Sequence, residues 1–117
     1  MNTDIVLRFN DALNARDLEC MMALQTDDCV FENTYPPPDG MRYVGRAAVR
    51  RFWEDFFRSN AESRFEVEEI FAQGERVVMR WTYRWRDEQG VEGYIRGVDL
   101  YRLRDGRIAE KLSYVKG

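Results

Sequence analysis

The spacing of apolar residues changes once along this chain, and that change constrains the fold more than any other sequence feature. Before residue 63 most apolar residues recur with the 3.6-residue period of a helix, whereas after it they recur at every second position, as in strands. Turn residues divide the second part into four strands, over about 64–73, 76–87, 92–104 and 107–116. Because the connections are short, neighbouring strands are predicted to be antiparallel.

The first part of the chain is predicted to hold three helices and one strand. The helices cover 4–16, 18–24 and 46–59, and the strand covers 29–35. Pro36-Pro37-Pro38 ends the strand, since proline has no N–H for a sheet. Helices followed by a meander predict an α+β fold with the helices on one face of the sheet.

Length and charge limit the organisation and the partners. We expect the 117 residues to form a single domain, 1–117. A net charge of -3 argues against nucleic acid as a partner, since phosphate binding favours a basic surface. No apolar run is long enough to span a membrane, so we expect no membrane partner and a cytoplasmic location.

The inventory of reactive side chains is narrow. Histidine is absent, which removes the commonest general base and metal ligand. The two cysteines, Cys20 and Cys29, are too far apart for a CxxC motif and are expected to be reduced core residues. We therefore expect neither a metal nor a cofactor. Sixteen arginines stand against only two lysines, Lys111 and Lys116.

The strand over 76–87 has two unlike faces. One carries Val77, Met79, Trp81, Tyr83 and Trp85, and the other carries mostly arginine. Burial of large aromatic rings is worth a few kcal/mol each, so the aromatic face is predicted to meet the helices. The arginine face is then left for water or another subunit.

Asp99 is the unusual residue of the next strand, because it shares a face with Ile95, Gly97, Tyr101 and Leu103. A carboxylate on an apolar face is costly unless it is hydrogen-bonded or protonated. One interpretation is an architectural residue that pairs with an arginine or caps a loop. The other is a carboxyl that lines an apolar cavity and carries acid–base chemistry.

The order of elements, with Asp27–Asn33, Gly45–Val49 and Gly97–Glu110, resembles the nuclear transport factor 2-like superfamily, which includes SnoaL-like polyketide cyclases and ketosteroid isomerases. The resemblance implies a cone-shaped α+β barrel, with three helices packed in a curved, mainly antiparallel sheet and a pocket at the open end. It also implies a homodimer through the outer face of the sheet.

Residue by residue, the resemblance carries over only in part. The oxyanion aspartate of ketosteroid isomerase matches Asp99, but its general base falls at Asn33 and its tyrosine at Phe9. We therefore predict no steroid isomerisation. Asp99 and Tyr101 are the predicted catalytic residues. Lys111 and Ser113 align with pocket-facing positions, and we expect Lys111 at the rim. The predicted pocket lining is Phe9, Phe31, Asn33, Tyr35, Phe52, Trp53, Phe56, Trp81, Tyr83, Trp85, Gly97, Lys111 and Ser113.

Two functions stay open on the sequence. The first is a cofactor-independent isomerase, cyclase, lyase or hydrolase that acts on a small apolar, carbonyl-containing molecule, with Asp99 as acid–base residue. The second is a non-catalytic ligand-binding module or dimeric accessory domain. The identity of the ligand does not follow from the residues.

Overall fold

One curved sheet of six strands carries the fold in the computed structural model of the protein, which describes residues 1–60 and 62–117. In chain order the elements are α1 (Asn2–Asn14), α2 (Leu18–Ala23), β1 (Gln25–Glu32), β2 (Arg42–Val44), α3 (Arg46–Ser59), β3 (Ser63–Gln73), β4 (Arg76–Arg86), β5 (Glu92–Arg104) and β6 (Arg107–Val115). The strand order is β2-β1-β6-β5-β4-β3, and the sheet curves without closing into a full barrel. The predicted α+β cone is confirmed.

The β3–β6 meander is antiparallel throughout, as predicted, and one pair in the sheet is parallel. β1 lies between β2 and β6, antiparallel to the first and parallel to the second. This parallel pairing places Phe31 directly beside Lys111. It joins the first strand of the chain to the last strand of the meander.

The first strand differs from its prediction. β1 begins at Gln25 and ends at Glu32, so Tyr35 lies outside it. The Asn33 N–H donates to the Met41 carbonyl, and Gly40 approaches Asn33 so closely, at a φ of 79°, that a side chain there would overlap the Asn33 carbonyl. The chain turns back at this point and forms β2, a strand that the sequence analysis missed.

The aromatic face of β4 points towards the helices, as expected. Val77, Met79, Trp81 and Tyr83 are buried there, whereas the arginines on the opposite face are exposed. Two tryptophans lie flat over cross-strand glycines: Trp81 pairs with Gly97, and Trp85 pairs with Gly93. A side chain at either glycine would overlap the indole ring, so the absence of a Cβ is what admits each ring.

The helices are amphipathic and close the inner face of the sheet. Val6, Phe9 and Leu13 of α1 are buried, at the spacing of one helix face. In α3, Val49 and Trp53 are buried one turn apart and face the same core. Among the described residues, no helix combines the length and the apolar character needed to cross a membrane.

Candidate functional site

A cavity of about 170 Å³ lies between α3 and the inner face of the sheet. Its walls are mostly aromatic. The lining residues are Phe31, Asn33, Thr34, Phe52, Trp53, Phe56, Phe65, Trp81, Tyr83, Ile95, Lys111 and Ser113. A larger groove of about 640 Å³ runs along α3 and shares Asn33, Phe52 and Phe56 with the cavity, so it borders the cavity and offers a route to it.

Lys111 is the only charged residue among these lining residues. Its Nζ lies 3.0 Å from Ser113 Oγ and 3.3 Å from Asp99 Oδ2, and the residue is only 5% exposed. The ammonium also lies over two aromatic rings, 4.5 Å from the Phe31 centroid and 5.6 Å from that of Trp53. These rings offer their negative faces to the cation and add to the stabilisation by Asp99.

Strand register explains why these groups meet. In the β5–β6 pair, Asp99 lies opposite Ser113 and Tyr101 lies opposite Lys111. Residues two apart on a strand share a face, so all four side chains point to the inner side of the sheet. The Asp99–Lys111 contact is the diagonal of this arrangement.

A one-residue irregularity in β6 puts Lys111 on the inner face. Leu103 pairs with Ile108, but Arg102 pairs with Glu110, so Ala109 is an extra residue in its strand. Ile108 and Ala109 are both buried, as expected at a bulge where two residues face one. Without this bulge the side chains beyond it would alternate in the opposite sense, and Lys111 would face outwards.

Burial dominates the electrostatics of the site. It lowers the pKa of the Lys111 ammonium, and the Asp99 carboxylate opposes that shift without cancelling it. Burial, and then the charge of Asp99, raises the pKa of Tyr101 well above its usual value of 10.0. The Tyr101 hydroxyl donates to Asp99 Oδ2 over 3.2 Å. The carboxylate therefore receives a cation and a neutral donor on one oxygen.

Two buried polar atoms near the cavity have no hydrogen-bond partner within the described part of the chain. One is the other carboxylate oxygen, Asp99 Oδ1, and the second is the indole Nε1 of the lining residue Trp81. Buried polar groups are rarely left unsatisfied, and each exception calls for an explanation such as strain, a catalytic role or a bound water or ion. With Lys111 and Ser113, the Trp81 N–H makes a lining rich in donors.

The comparisons with known proteins agree with this architecture. Residues 6–111 match the SnoaL-like domain family. The chain belongs to the SnoaL-like domain family. A nuclear transport factor 2-like protein of unknown function from Mesorhizobium loti is 40% identical, with a TM-score of 0.83, over 99% of this chain and 91% of its own. No curated protein matches the sequence.

Two further solved structures agree in fold. A candidate polyketide cyclase from Xanthomonas campestris is 25% identical, with a TM-score of 0.78, over 98% of this chain and 90% of its own. TerC, which was crystallised with polyporic acid, is 20% identical with a TM-score of 0.84, over 98% of this chain and 91% of its own. At that identity the likeness to TerC shows the fold alone.

The structure brings nine of the predicted lining residues together in this SnoaL-like cavity: Phe31, Asn33, Phe52, Trp53, Phe56, Trp81, Tyr83, Lys111 and Ser113. Asp99 and Tyr101 lie one layer deeper. They are 2% and 1% exposed and contact the site through Lys111. Both are therefore placed to position the lysine rather than to touch a ligand directly.

Four predicted lining residues lie elsewhere. Phe9 is fully buried behind Trp53, with its ring edge towards the indole. Tyr35 is 71% exposed, because the chain leaves the sheet before it. Trp85 is half-buried and borders a separate surface depression, and Gly97 lies beneath the Trp81 ring.

The expectation that Lys111 lies at the rim is wrong. The side chain is buried and reaches inwards, because Asp99, Ser113 and two aromatic rings stabilise its charge there. An arginine partner for Asp99 was expected under the architectural interpretation. The partner is this lysine instead.

Three lining residues were missed: Thr34, Phe65 and Ile95. A signal existed for two of them. Phe65 and Ile95 both pair with Tyr83, on either side of β4, so they share its inward face. Once Tyr83 is assigned to the cavity, the strand register of the predicted meander is enough to assign Phe65 and Ile95 to it as well. For Thr34, which follows the end of β1, the sequence holds no comparable signal.

Proposed function

We propose that this SnoaL-like protein binds a small, mostly apolar molecule with a carbonyl group in the aromatic cavity, and that Lys111 donates a hydrogen bond to the carbonyl oxygen. The observation that carries the proposal is the buried Lys111 ammonium among aromatic rings, with Asp99 as its counter-ion. Apolar walls favour a ligand without charge, and the donors at the floor favour an oxygen acceptor.

The chemistry that this arrangement favours is enolisation. When the C–H bond next to a carbonyl breaks, its proton passes to water and the electron pair moves onto the carbonyl oxygen. A fixed ammonium beside that oxygen stabilises the developing charge, and it does so more strongly between aromatic walls than in bulk water. Asp99 and Tyr101 hold the ammonium in place. Isomerases and cyclases both use such an enolate.

Paired ligands test the binding part. Acetophenone and ethylbenzene differ chiefly in the carbonyl, and quenching of Trp53 and Trp81, which line the cavity, reports both. We expect Lys111→Met to weaken acetophenone binding about tenfold, the worth of a hydrogen bond from a charged donor, and to leave ethylbenzene unchanged. Lys116→Met, a change at an exposed lysine, is the matched control. Equal weakening of both ligands would remove Lys111 from the proposal.

Exchange in heavy water tests the catalytic part. Proton NMR follows loss of the acetophenone methyl signal as its hydrogens are replaced by deuterium. We expect the protein to accelerate this exchange and Lys111→Met to abolish the acceleration. The double variant Asp99→Asn with Lys111→Met shows whether any loss reflects misfolding, since it leaves no unpaired buried charge. Binding without accelerated exchange would favour the second function.

That second function is non-catalytic ligand binding. The position of Asp99 and Tyr101 favours it, because both lie behind the lining and no general base of the ordinary kind borders the cavity. In this reading the Asp99–Lys111 pair only orients a ligand oxygen. The exchange experiment separates the two functions with one protein and one ligand.

We also propose a homodimer through the outer face of the sheet. Tyr94 and Tyr114 are 61% and 50% exposed there, beside alternating arginines and glutamates. A face with both charges can pair with its own copy across a two-fold axis. Light scattering at tens of micromolar protein is expected to give the mass of two chains, and a monomer would contradict the proposal.

A further inference from the structure

We propose that Lys111 Nζ is a covalent site: it condenses with the carbonyl carbon of a small aldehyde or ketone to form an imine, with Asp99 as the proton acceptor and donor. The inference rests on the proposed function, because it needs the same cavity to admit a carbonyl compound. It goes further by assigning the lysine a bond to its ligand rather than a hydrogen bond.

The position of the nitrogen is the first support. Of the four groups that surround Lys111 Nζ, three line the cavity: Ser113, Phe31 and Trp53. The fourth is Asp99, which lies behind them. The nitrogen therefore borders the space that a ligand would occupy. A carbonyl carbon bound there would be in reach of the nitrogen lone pair.

A means of freeing that lone pair is the second support. An ammonium cannot attack a carbonyl, so it must first lose a proton, and Asp99 Oδ2 is 3.3 Å away to accept it. Burial disfavours the charged form of Lys111 and lowers its pKa, which brings the uncharged amine closer to the ammonium in free energy. Tyr101 donates to the same carboxylate oxygen and keeps it in position.

The steps balance without a further reactant. A proton moves from Nζ to Oδ2, and the freed lone pair forms a C–N bond while the carbonyl π electrons move to oxygen. A proton then passes from nitrogen to that oxygen and gives a neutral carbinolamine. Asp99 returns its proton to the carbinolamine nitrogen, the nitrogen passes a proton on to the hydroxyl, the C–O bond breaks, and water leaves. The product is a protonated imine beside the Asp99 carboxylate, so the site regains its charge pair.

The composition of the chain makes the site easy to identify. Guanidinium groups stay protonated and do not form imines with aldehydes in neutral water, so the sixteen arginines are not labelled. Lys116 is the only other lysine in the sequence, and it is exposed. The remaining primary amine is the exposed terminus at Met1. Any imine can thus be assigned to one of three nitrogens.

Reductive trapping tests the proposal on the wild-type protein. Benzaldehyde is added at neutral pH with cyanoborohydride, which reduces an imine to a stable benzyl amine, and peptide mass mapping locates the benzyl group. We expect it on Lys111, at least tenfold over Lys116, because burial and the neighbouring Asp99 carboxylate help to free the lone pair of the Lys111 nitrogen. Lys116→Arg is expected to leave labelling at Lys111 unchanged, and Lys111→Arg to remove it.

The outcomes separate this inference from the function on which it rests. Benzyl alcohol, which fits the same space but cannot form an imine, is titrated by tryptophan fluorescence. If benzyl alcohol binds and Lys111 is not labelled, or is labelled no more than Lys116, the imine is wrong and the binding proposal survives. If benzyl alcohol does not bind and Lys111 is not labelled, both fail. Because labelling is mapped on the unaltered protein, a poorly folded variant cannot obscure the result.

Discussion

The two faces of this sheet hold ion pairs of the same chemistry in opposite surroundings. On the inner face, Asp99 and Lys111 are both nearly inaccessible to water. On the outer face, Glu68 accepts from Arg80 and Arg96, over 2.8 and 3.1 Å, in a network that stays in contact with solvent. Alternation of side chains along a strand is enough to separate these two environments by the thickness of one sheet.

Comparison of the two ion pairs shows that the distance between charged atoms says little about how much a pair contributes to stability. A surface pair gains little, because water solvates its members almost as well as they solvate each other. A buried pair has lost that solvation, so either member becomes costly when the other is removed. The inner pair is therefore the one on which both stability and chemistry depend, and the following experiments test that contrast.

Removal of the inner carboxylate is expected to give the largest effect. Asp99→Asn leaves the Lys111 ammonium buried without a counter-ion, and we expect the free energy of unfolding to fall by about 3–5 kcal/mol. Urea denaturation at neutral pH measures the loss. Adding Lys111→Met to Asp99→Asn removes the stranded charge and is expected to recover most of it. A double variant no more stable than the single one would show that the loss is not electrostatic.

The same variant has a signature in pH. Burial lowers the pKa of Lys111 below its unfolded value of 10.5, and in the variant the Asp99 carboxylate no longer opposes that shift. Between the two pKa values the unfolded chain binds the proton and the folded chain does not, so stability rises with pH. The free energy of unfolding of Asp99→Asn is therefore expected to approach that of wild type as the pH is raised towards 10.5. A constant difference would contradict this account.

A methyl group at Gly97 is expected to have the next largest effect, on the inner face again. It would overlap both the Tyr114 carbonyl and the Trp81 indole, and Trp81 is buried. We expect Gly97→Ala to lower the free energy of unfolding by about 2 kcal/mol, as overpacking does. In Gly93→Ala the methyl meets the half-buried Trp85 ring, which has room to move, so the loss in urea denaturation should be smaller. Equal losses of unfolding free energy in the two variants would contradict the expected difference between the buried and the half-buried tryptophan.

Tyr101 is expected to give a smaller and pH-dependent effect. Tyr101→Phe loses the hydrogen bond to Asp99, worth about 1 kcal/mol at neutral pH. Above pH 10.0 the unfolded tyrosine ionises while burial keeps the folded one protonated, so wild-type stability falls with rising pH. The difference in free energy of unfolding between wild type and Tyr101→Phe should therefore decrease when urea denaturation is repeated at alkaline pH. Tyr94→Phe, at an exposed tyrosine on the outer face, is the control for the loss of a tyrosine hydroxyl.

The outer face is expected to give the smallest effect. Arg96→Ala removes one partner of Glu68, but Arg80 and water remain to solvate the carboxylate. The urea midpoint should stay within error of wild type, with and without added salt. A loss comparable to that of Asp99→Asn would mean that the proposed dimer buries this ion pair fully rather than leaving it at the wet edge of the interface, and light scattering on the variant would then reveal a weakened dimer.

Most of the fold was predictable because periodicity and turn chemistry both point to the same elements. Asp105-Gly106 and the alternation in β4 and β5 fix the hairpins, and the three helices were placed within two residues at each end. The first strand was less predictable. Its boundaries depend on a loop closed by the Asn33–Met41 hydrogen bond and by Gly40, a contact across the loop that no local pattern shows.

The aromatic walls of the site were predictable from the residues themselves, whereas only the resemblance indicated Lys111 and Ser113, and nothing indicated that Lys111 is buried. The aromatic residues carry their own signal, since large rings on one face of a strand or helix must be buried. The position of Lys111 depends on the bulge at Ala109, which inverts the alternation of β6. A regular hairpin would place Leu112 opposite Asp99 instead. One extra residue in a strand has no signature in composition, so the burial of the lysine appears only in three dimensions.

The parallel pairing of β1 with β6 has a consequence for how the protein is made. During synthesis α1, α2, β1 and β2 leave the ribosome long before β6 is made. β6, the parallel neighbour of β1, is therefore missing until the meander is complete. Contacts between distant segments form late and slow the folding of a chain. Since Lys111 lies on that late strand beside Phe31, the cavity acquires its charge only when the last strand joins the sheet.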